Sequence, residues 1–325
     1  MVTRRDVLIS GLAAGVTGWL RGADRLFAKS SQPSTKVNFD VPAGACDCHV
    51  HIFGDPQRYP FFSGRVYTPE TASTSELRAM QDALHMSRVV IVQPSVYGTD
   101  NSCTLDAVKA LGARARGVAV VDAATPDAAL ADMAKSGIRG IRLNLTTAGI
   151  TDPAVALQRF QAAADRAKAH GFHIQLNTSL RVIETLSPQL LASPVTLVFD
   201  HFGGAVASAG VNQPGFGALV NLAKSGKAYV KISGAADSVS TQAPGYADVL
   251  PLARALVEAN PQRILWGSNW PHPDSTTRPD RKNTDLAPNV QIDDGLVLNL
   301  LPVWVPDPAT RRAILVENPA RLYGF

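Results

Sequence analysis

The segment Cys46-Asp47-Cys48-His49-Val50-His51-Ile52, continuing Phe53-Gly54-Asp55-Pro56, decides the fold. Its residues alternate, so it reads as a strand in which side chains at i and i+2 share a face. Asp47, His49 and His51 are expected on one face, with Cys46, Cys48 and Val50 on the other. A first strand of an α/β chain belongs to an open doubly wound sheet or to a closed barrel. The open nucleotide-binding sheet carries G-x-G-x-x-G directly after this strand; His51-Ile52-Phe53-Gly54-Asp55-Pro56 lacks it.

Outward from that strand the chain repeats one unit. Short β-branched runs recur at Arg88–Gln93, Arg116–Val121, Ile138–Asn144, Phe172–Asn177, Val195–Asp200, Ala228–Ser233 and Arg263–Gly267. Ala/Leu-rich stretches of helical spacing lie between them, among them Thr74–His85, Asp127–Ser136, Pro153–His170 and Tyr246–Asn260. Strand–helix alternation implies parallel strands, and with the first run these make eight units, a (β/α)₈ TIM barrel. The 325 residues suit one such barrel plus extensions, here expected over residues 45–325.

At 46% hydrophobic and 18% charged, the chain is no disordered or low-complexity protein. The formal charge of +4 is spread without a basic run or an aromatic-basic stripe, so no nucleic-acid role is expected. The N-terminus accounts for half of that charge. Thr3-Arg4-Arg5-Asp6-Val7-Leu8 and the apolar stretch to Leu20 resemble a twin-arginine (Tat) signal over residues 1–28, followed by a Ser/Pro/Thr-rich linker over 29–44. The apolar stretch is shorter than the roughly 20 residues a membrane span needs. The expectation is export to the periplasm by the Tat machinery, with an uncleaved anchor as an alternative. Cys46, Cys48 and Cys103 form no disulfide framework; the first two lie roughly 6.6 Å apart along a strand, a poor bridge geometry.

Most polar groups of the strands lie toward their C-terminal ends: Gln93 and Ser95, Arg142 and Asn144, Gln175 and Asn177, Lys231 and Ser233; His173 stands at the other end of its strand. Barrel active sites are built at that end, and converging polar ends are costly to bury without a function.

The wider pattern resembles the amidohydrolase superfamily. His49-Val50-His51 on the first strand carries that likeness, and an ordered set narrows it: Tyr67-Thr68-Pro69, Gln93-Pro94-Ser95-Val96-Tyr97-Gly98, Gly140-Ile141-Arg142-Leu143-Asn144, Asp200-His201-Phe202-Gly203-Gly204, and Trp266-Gly267-Ser268-Asn269-Trp270-Pro271-His272-Pro273. This set is similar to the branch of 2-pyrone-4,6-dicarboxylate lactonase and D-galactarolactone isomerase. The resemblance implies that His49, His51 and His201 match metal-ligand histidines which, in this branch, work without metal to polarise a substrate carbonyl. It also implies that Asn269 stands where most members carry a water-activating aspartate.

An amide has no basic lone pair at neutral pH, so Asn269 leaves the cavity expected to lack a general base. Lactone isomerisation, in which the substrate's own hydroxyl attacks, or base-free lactone opening is then favoured over efficient hydrolysis. Arg142 and Lys231 suit a carboxylated substrate, with Ser95 and Tyr67 adding hydrogen bonds; a structural ion pair is the other reading of Arg142 and Lys231. No cofactor is expected. The alternatives are a Zn-dependent hydrolase or decarboxylase with Zn²⁺ on His49, His51 and His201, and a catalytically inactive periplasmic binder of sugar acids.

Overall fold

The structure, a computed structural model, describes residues 30–325; the twin-arginine segment lies outside the described residues. Eight parallel strands form one sheet in sequential order. They are β1 (Cys46–Val50), β2 (Arg88–Val92), β3 (Ala115–Ala119), β4 (Ile138–Asn144), β5 (His173–Asn177), β6 (Leu197–Phe199), β7 (Ala228–Ser233) and β8 (Ile264–Gly267). Closure comes just past β8, where His51 N donates to Trp270 O at 2.8 Å and Asn269 N to His49 O at 2.9 Å. Gly267 permits this approach, because a Cβ there would stand 2.8 Å from His49 Cβ. The result is the expected (β/α)₈ barrel.

Helices return the chain between strands, and their ends obey local chemistry. Helix α1 (Thr74–Ala83) starts on a capping box, with the Ser73 hydroxyl accepting from Glu76 N and Glu76 accepting from Ser73 N. Helix α2 (Pro153–His170) has Asp152 as N-cap, proline in its first turn and left-handed Gly171 at its end.

The barrel interior divides along its axis. At the N-terminal end Cys46, Cys48, Val90, Val92, Val118, Val198 and Leu265 pack with Tyr323 of the C-terminal helix. That end is an apolar plug, so charge is confined to the other.

One expectation about β1 is corrected. Asp47 pairs with Val89 but Val50 pairs with Ile91, leaving Cys48 and His49 together opposite Val90. This β-bulge breaks the two-residue alternation. Cys46, Cys48, His49 and His51 all turn inward, whereas Asp47 faces out. The Asp47 carboxylate instead accepts from the backbone of His49 at 3.1 Å and Ser268 at 3.0 Å, fastening β1 to the chain beyond β8. Burial lifts its pKa to about 7.

Candidate active site

A cavity of about 320 Å³ opens at the C-terminal end of the strands. Of the eight residues singled out in the sequence, His51, Tyr67, Ser95, Arg142, His201 and Asn269 line it. His49 and Lys231 are fully buried and stand behind the wall. The cavity also gathers Asn144 and Asn177, paired in register and joined at 2.8 Å, and Asp237, which the sequence reading missed.

Behind the wall lies a charge network centred on Asp200. Arg142 donates to Asp200 Oδ2 from Nε at 3.4 Å and Nη2 at 3.3 Å, and from Nη1 to Gln93 O at 3.1 Å. Gln175 Nε2 donates to the same carboxylate at 3.1 Å, and Gln175 Oε1 accepts from Lys231 Nζ at 2.8 Å. Lys231 Nζ is 3.4 Å from Asp200 Oδ1. Burial alone would raise the Asp200 carboxyl; the His49 ring, the Lys231 ammonium and the Arg142 guanidinium outweigh it and hold the pKa well below the usual carboxylate range. Burial lowers the Lys231 ammonium. Two cations against one carboxylate leave a net positive wall beside the cavity. Arg142 therefore joins both readings, being ion-paired and cavity-facing, while Lys231 reaches no cavity surface.

The three imidazoles cluster, with ring centroids 5.0 Å apart for His49 and His51 and 4.5 Å for His49 and His201. Burial pushes all three below the ordinary imidazole value, His51 to about 3. They are neutral at physiological pH, so tautomers decide what each offers. His51 Nδ1 faces the Val92 carbonyl at 2.7 Å; a carbonyl only accepts, so Nδ1 carries the proton and Nε2 a lone pair. His49 Nδ1 lies between two charged groups, 3.2 Å from Asp200 Oδ1 and 3.3 Å from Lys231 Nζ, while Nε2 is buried with no hydrogen-bond partner among the described residues. His201 Nδ1 meets the Ser233 hydroxyl at 3.0 Å. Its ring fits because residue 234 is glycine, where a Cβ would come within 2.7 Å of Nδ1.

This donor set fits a divalent cation poorly. His49, Asp200 and His201 offer atoms within 4.8 Å of one another. Yet the carboxylate is already shared by Arg142 and Lys231. The Lys231 ammonium also stands 3.3 Å from His49 Nδ1, so a second positive charge already occupies this corner.

Asn269 overturns the expectation of a cavity without a proton acceptor. Its Nδ2 donates to Asp237 Oδ2 at 3.0 Å, and both residues line the cavity. The same oxygen accepts from His272 Nδ1 at 2.8 Å, and His272 Nε2 lies 3.1 Å from Asp294 Oδ1. Burial disfavours a charged His272, but Asp294 and Asp237 prevail and push its pKa up to about 10. Burial would raise Asp237 too; the hydrogen bond and charge of His272 hold it below the usual carboxylate value. No period or motif marks Asp237, because it sits in the loop after β7 and meets Asn269 only through barrel closure. His201, Asn269 and His272 have φ of +47°, +75° and +61°, a cluster of left-handed non-glycine residues, and such strain concentrates at active sites and ligand clamps.

Other singled-out residues lie elsewhere. His173 packs on Tyr323 at the plug end, and Arg139 donates to Tyr323 O. Cys103 is buried, and burial raises its thiol.

Residues 46–325 match the family described as Amidohydrolase. The chain is 34% identical to 2-pyrone-4,6-dicarboxylate hydrolase of Comamonas testosteroni, covering 94% of this chain and 96% of that protein. It is 30% identical to D-galactarolactone isomerase of Agrobacterium fabrum, over 89% and 94% of the two chains. An apo crystal structure from Agrobacterium tumefaciens superposes with a TM-score of 0.73 at 28% identity, over 90% and 98% of the two chains. This chain belongs to the amidohydrolase family.

Proposed function

We propose that this enzyme opens or isomerises a carboxylated lactone without a metal ion. The observation carrying the reading is Arg142, a guanidinium in the cavity wall beside His51 and His201. It suits a carboxylate, and the rings suit a lactone carbonyl and its hydroxyls. The two named relatives act on lactones of this kind, which supports the reading.

Each ring has a separate role. His201, in the cavity wall, donates to the carbonyl and steadies the oxyanion, with the His49 ring packed behind it. One such donor contributes roughly 2.7–4 kcal/mol to a transition state. His51 turns a lone pair to the cavity and accepts from a substrate hydroxyl. Ser95 and Tyr67 add hydrogen bonds; burial raises the Tyr67 phenol to about 12, so it stays a donor. Lys231 and Asp200 hold the His49 ring from behind. Attack by the substrate's own hydroxyl is favoured over attack by water because nucleophile and carbonyl are held in one molecule. That intramolecular step gains up to about 7–11 kcal/mol from proximity.

The test is a lactone panel followed by NMR, with metal content measured on the same sample. Turnover of a carboxylated lactone by metal-free protein supports the reading. Activity that tracks bound zinc favours the Zn-dependent hydrolase or decarboxylase, and saturable binding without turnover favours the sugar-acid binder. The reading places the enzyme in the periplasm through its twin-arginine segment; fractionation of cells with Arg4 and Arg5 changed to Lys checks this by retention in the cytoplasm.

A further inference from the structure

Asp237 is fastened on one side only. Oδ2 accepts from Asn269 Nδ2 and His272 Nδ1, whereas the one partner of Oδ1 among the described residues is the exposed Ser238 hydroxyl at 2.9 Å. Both His272 nitrogens face carboxylate oxygens, which only accept, so the ring carries two protons. Asp237, His272 and Asp294 thus form a buried group with one cation and two anions. Across the cavity Arg142, Lys231 and Asp200 form one with two cations and one anion. The cavity between them, lined by both Arg142 and Asp237, has a positive and a negative pole.

We propose that Asp237 is the proton acceptor of this cavity, and that the two poles select a hydroxylated lactone bearing a single carboxylate. The inference rests on the lactone reading. The carboxylate meets Arg142 and the hydroxyls meet Asp237. A second carboxylate on the ring would face the Asp237 anion at close range in a water-poor site, where like charges repel strongly. In the reaction Asp237 Oδ1 takes the proton of the attacking O–H. The attacking oxygen bonds to the lactone carbonyl carbon, and the carbonyl π pair moves onto its oxygen. As that pair returns, the ring C–O bond breaks and Asp237 gives its proton to the departing oxygen. With a substrate hydroxyl attacking, the product is an isomeric lactone; with water, a hydroxy acid. Asn269 and His272 are positioning residues that hold the carboxylate from behind.

The probes are D-galactarolactone and 2-pyrone-4,6-dicarboxylate. The wild-type enzyme is expected to turn over the first and to bind the second at least tenfold more weakly. Asp237→Ala should lose roughly 10²–10⁴-fold in kcat on D-galactarolactone with KM within about threefold, and added formate should restore part of the loss. Asp237→Asn, which keeps the side chain's shape, should bind the pyrone dicarboxylate more tightly than wild type does. Wild-type kcat in Asp237→Ala overturns the proposal, as does a loss that formate leaves untouched while His51→Gln alone abolishes turnover. If the wild-type enzyme acts on no lactone, the lactone reading fails by itself. Calorimetry with D-gluconate and D-glucarate then tests the poles: a monocarboxylate preference lost in Asp237→Asn upholds the role of Asp237 in selection, and identical preferences in the two proteins overturn it.

Discussion

Asn269 donates its amide to the Asp237 carboxylate across 3.0 Å, from a backbone held at φ +75°. The amide is what allows a charged carboxylate to sit there. An aspartate at 269 would set two acids within hydrogen-bonding distance, and one of them would be forced to keep its proton.

Asn269→Asp should therefore carry a pH-dependent penalty. The new carboxyl has a raised pKa in the folded state, so its cost is small near pH 5, where a shared proton restores the hydrogen bond. The cost grows as pH rises, to roughly 1–3 kcal/mol at pH 8. Urea midpoints of both proteins at the two pH values check this; equal gaps would mean the two side chains do not meet.

Lys231→Met removes one cation from the fully buried Asp200 network. Asp200 keeps its ion pair with Arg142, so the cost is that of lost hydrogen bonds to charged groups, about 1.5–3 kcal/mol, rather than that of an uncompensated charge. Chemical denaturation is expected to show a loss in that range, against less than about 0.5 kcal/mol for a surface substitution.

His272 should make stability fall in alkali. Its folded pKa, about 10, stands above the ordinary imidazole value. A group raised in this way stabilises the fold fully below the unfolded pKa of about 6.5. That contribution is lost as pH rises through 10. The Tm gap between wild type and His272→Gln should be widest below pH 6.5 and narrow toward pH 10.

Arg142→Gln separates recognition from packing. Hydrogen bonds to a charged group contribute about 1.5–3 kcal/mol. KM for a carboxylated lactone should accordingly rise roughly 10- to 150-fold, while KM for an uncharged lactone moves little. Equal changes for both lactones would make Arg142 a structural partner of Asp200 alone.

The strand–helix alternation made the barrel readable because parallel strands covered on one face by helices must be apolar at a fixed spacing. The cavity-lining residues His51, His201, Arg142 and Asn269 were readable because each lies within two residues of a strand's C-terminal end. Three features were not. The bulge at Cys48–His49 leaves no mark in the alternation, and it sends Asp47 outward. Lys231 shares a strand face with Ser233, but depth along the barrel puts it behind the wall on Asp200. Asp237 and Asp294 lie in the loop after β7 and in the segment beyond β8, and they meet only through His272. Loop contacts of that kind follow from three-dimensional closure, which no local spacing encodes.

The most direct measurement is the turnover of a carboxylated lactone by protein stripped with a strong chelator, with residual metal quantified in the same tube. These side chains acting alone predict an undiminished rate at far below one metal ion per chain. A rate that vanishes on stripping and returns with one equivalent of Zn²⁺ would contradict the account.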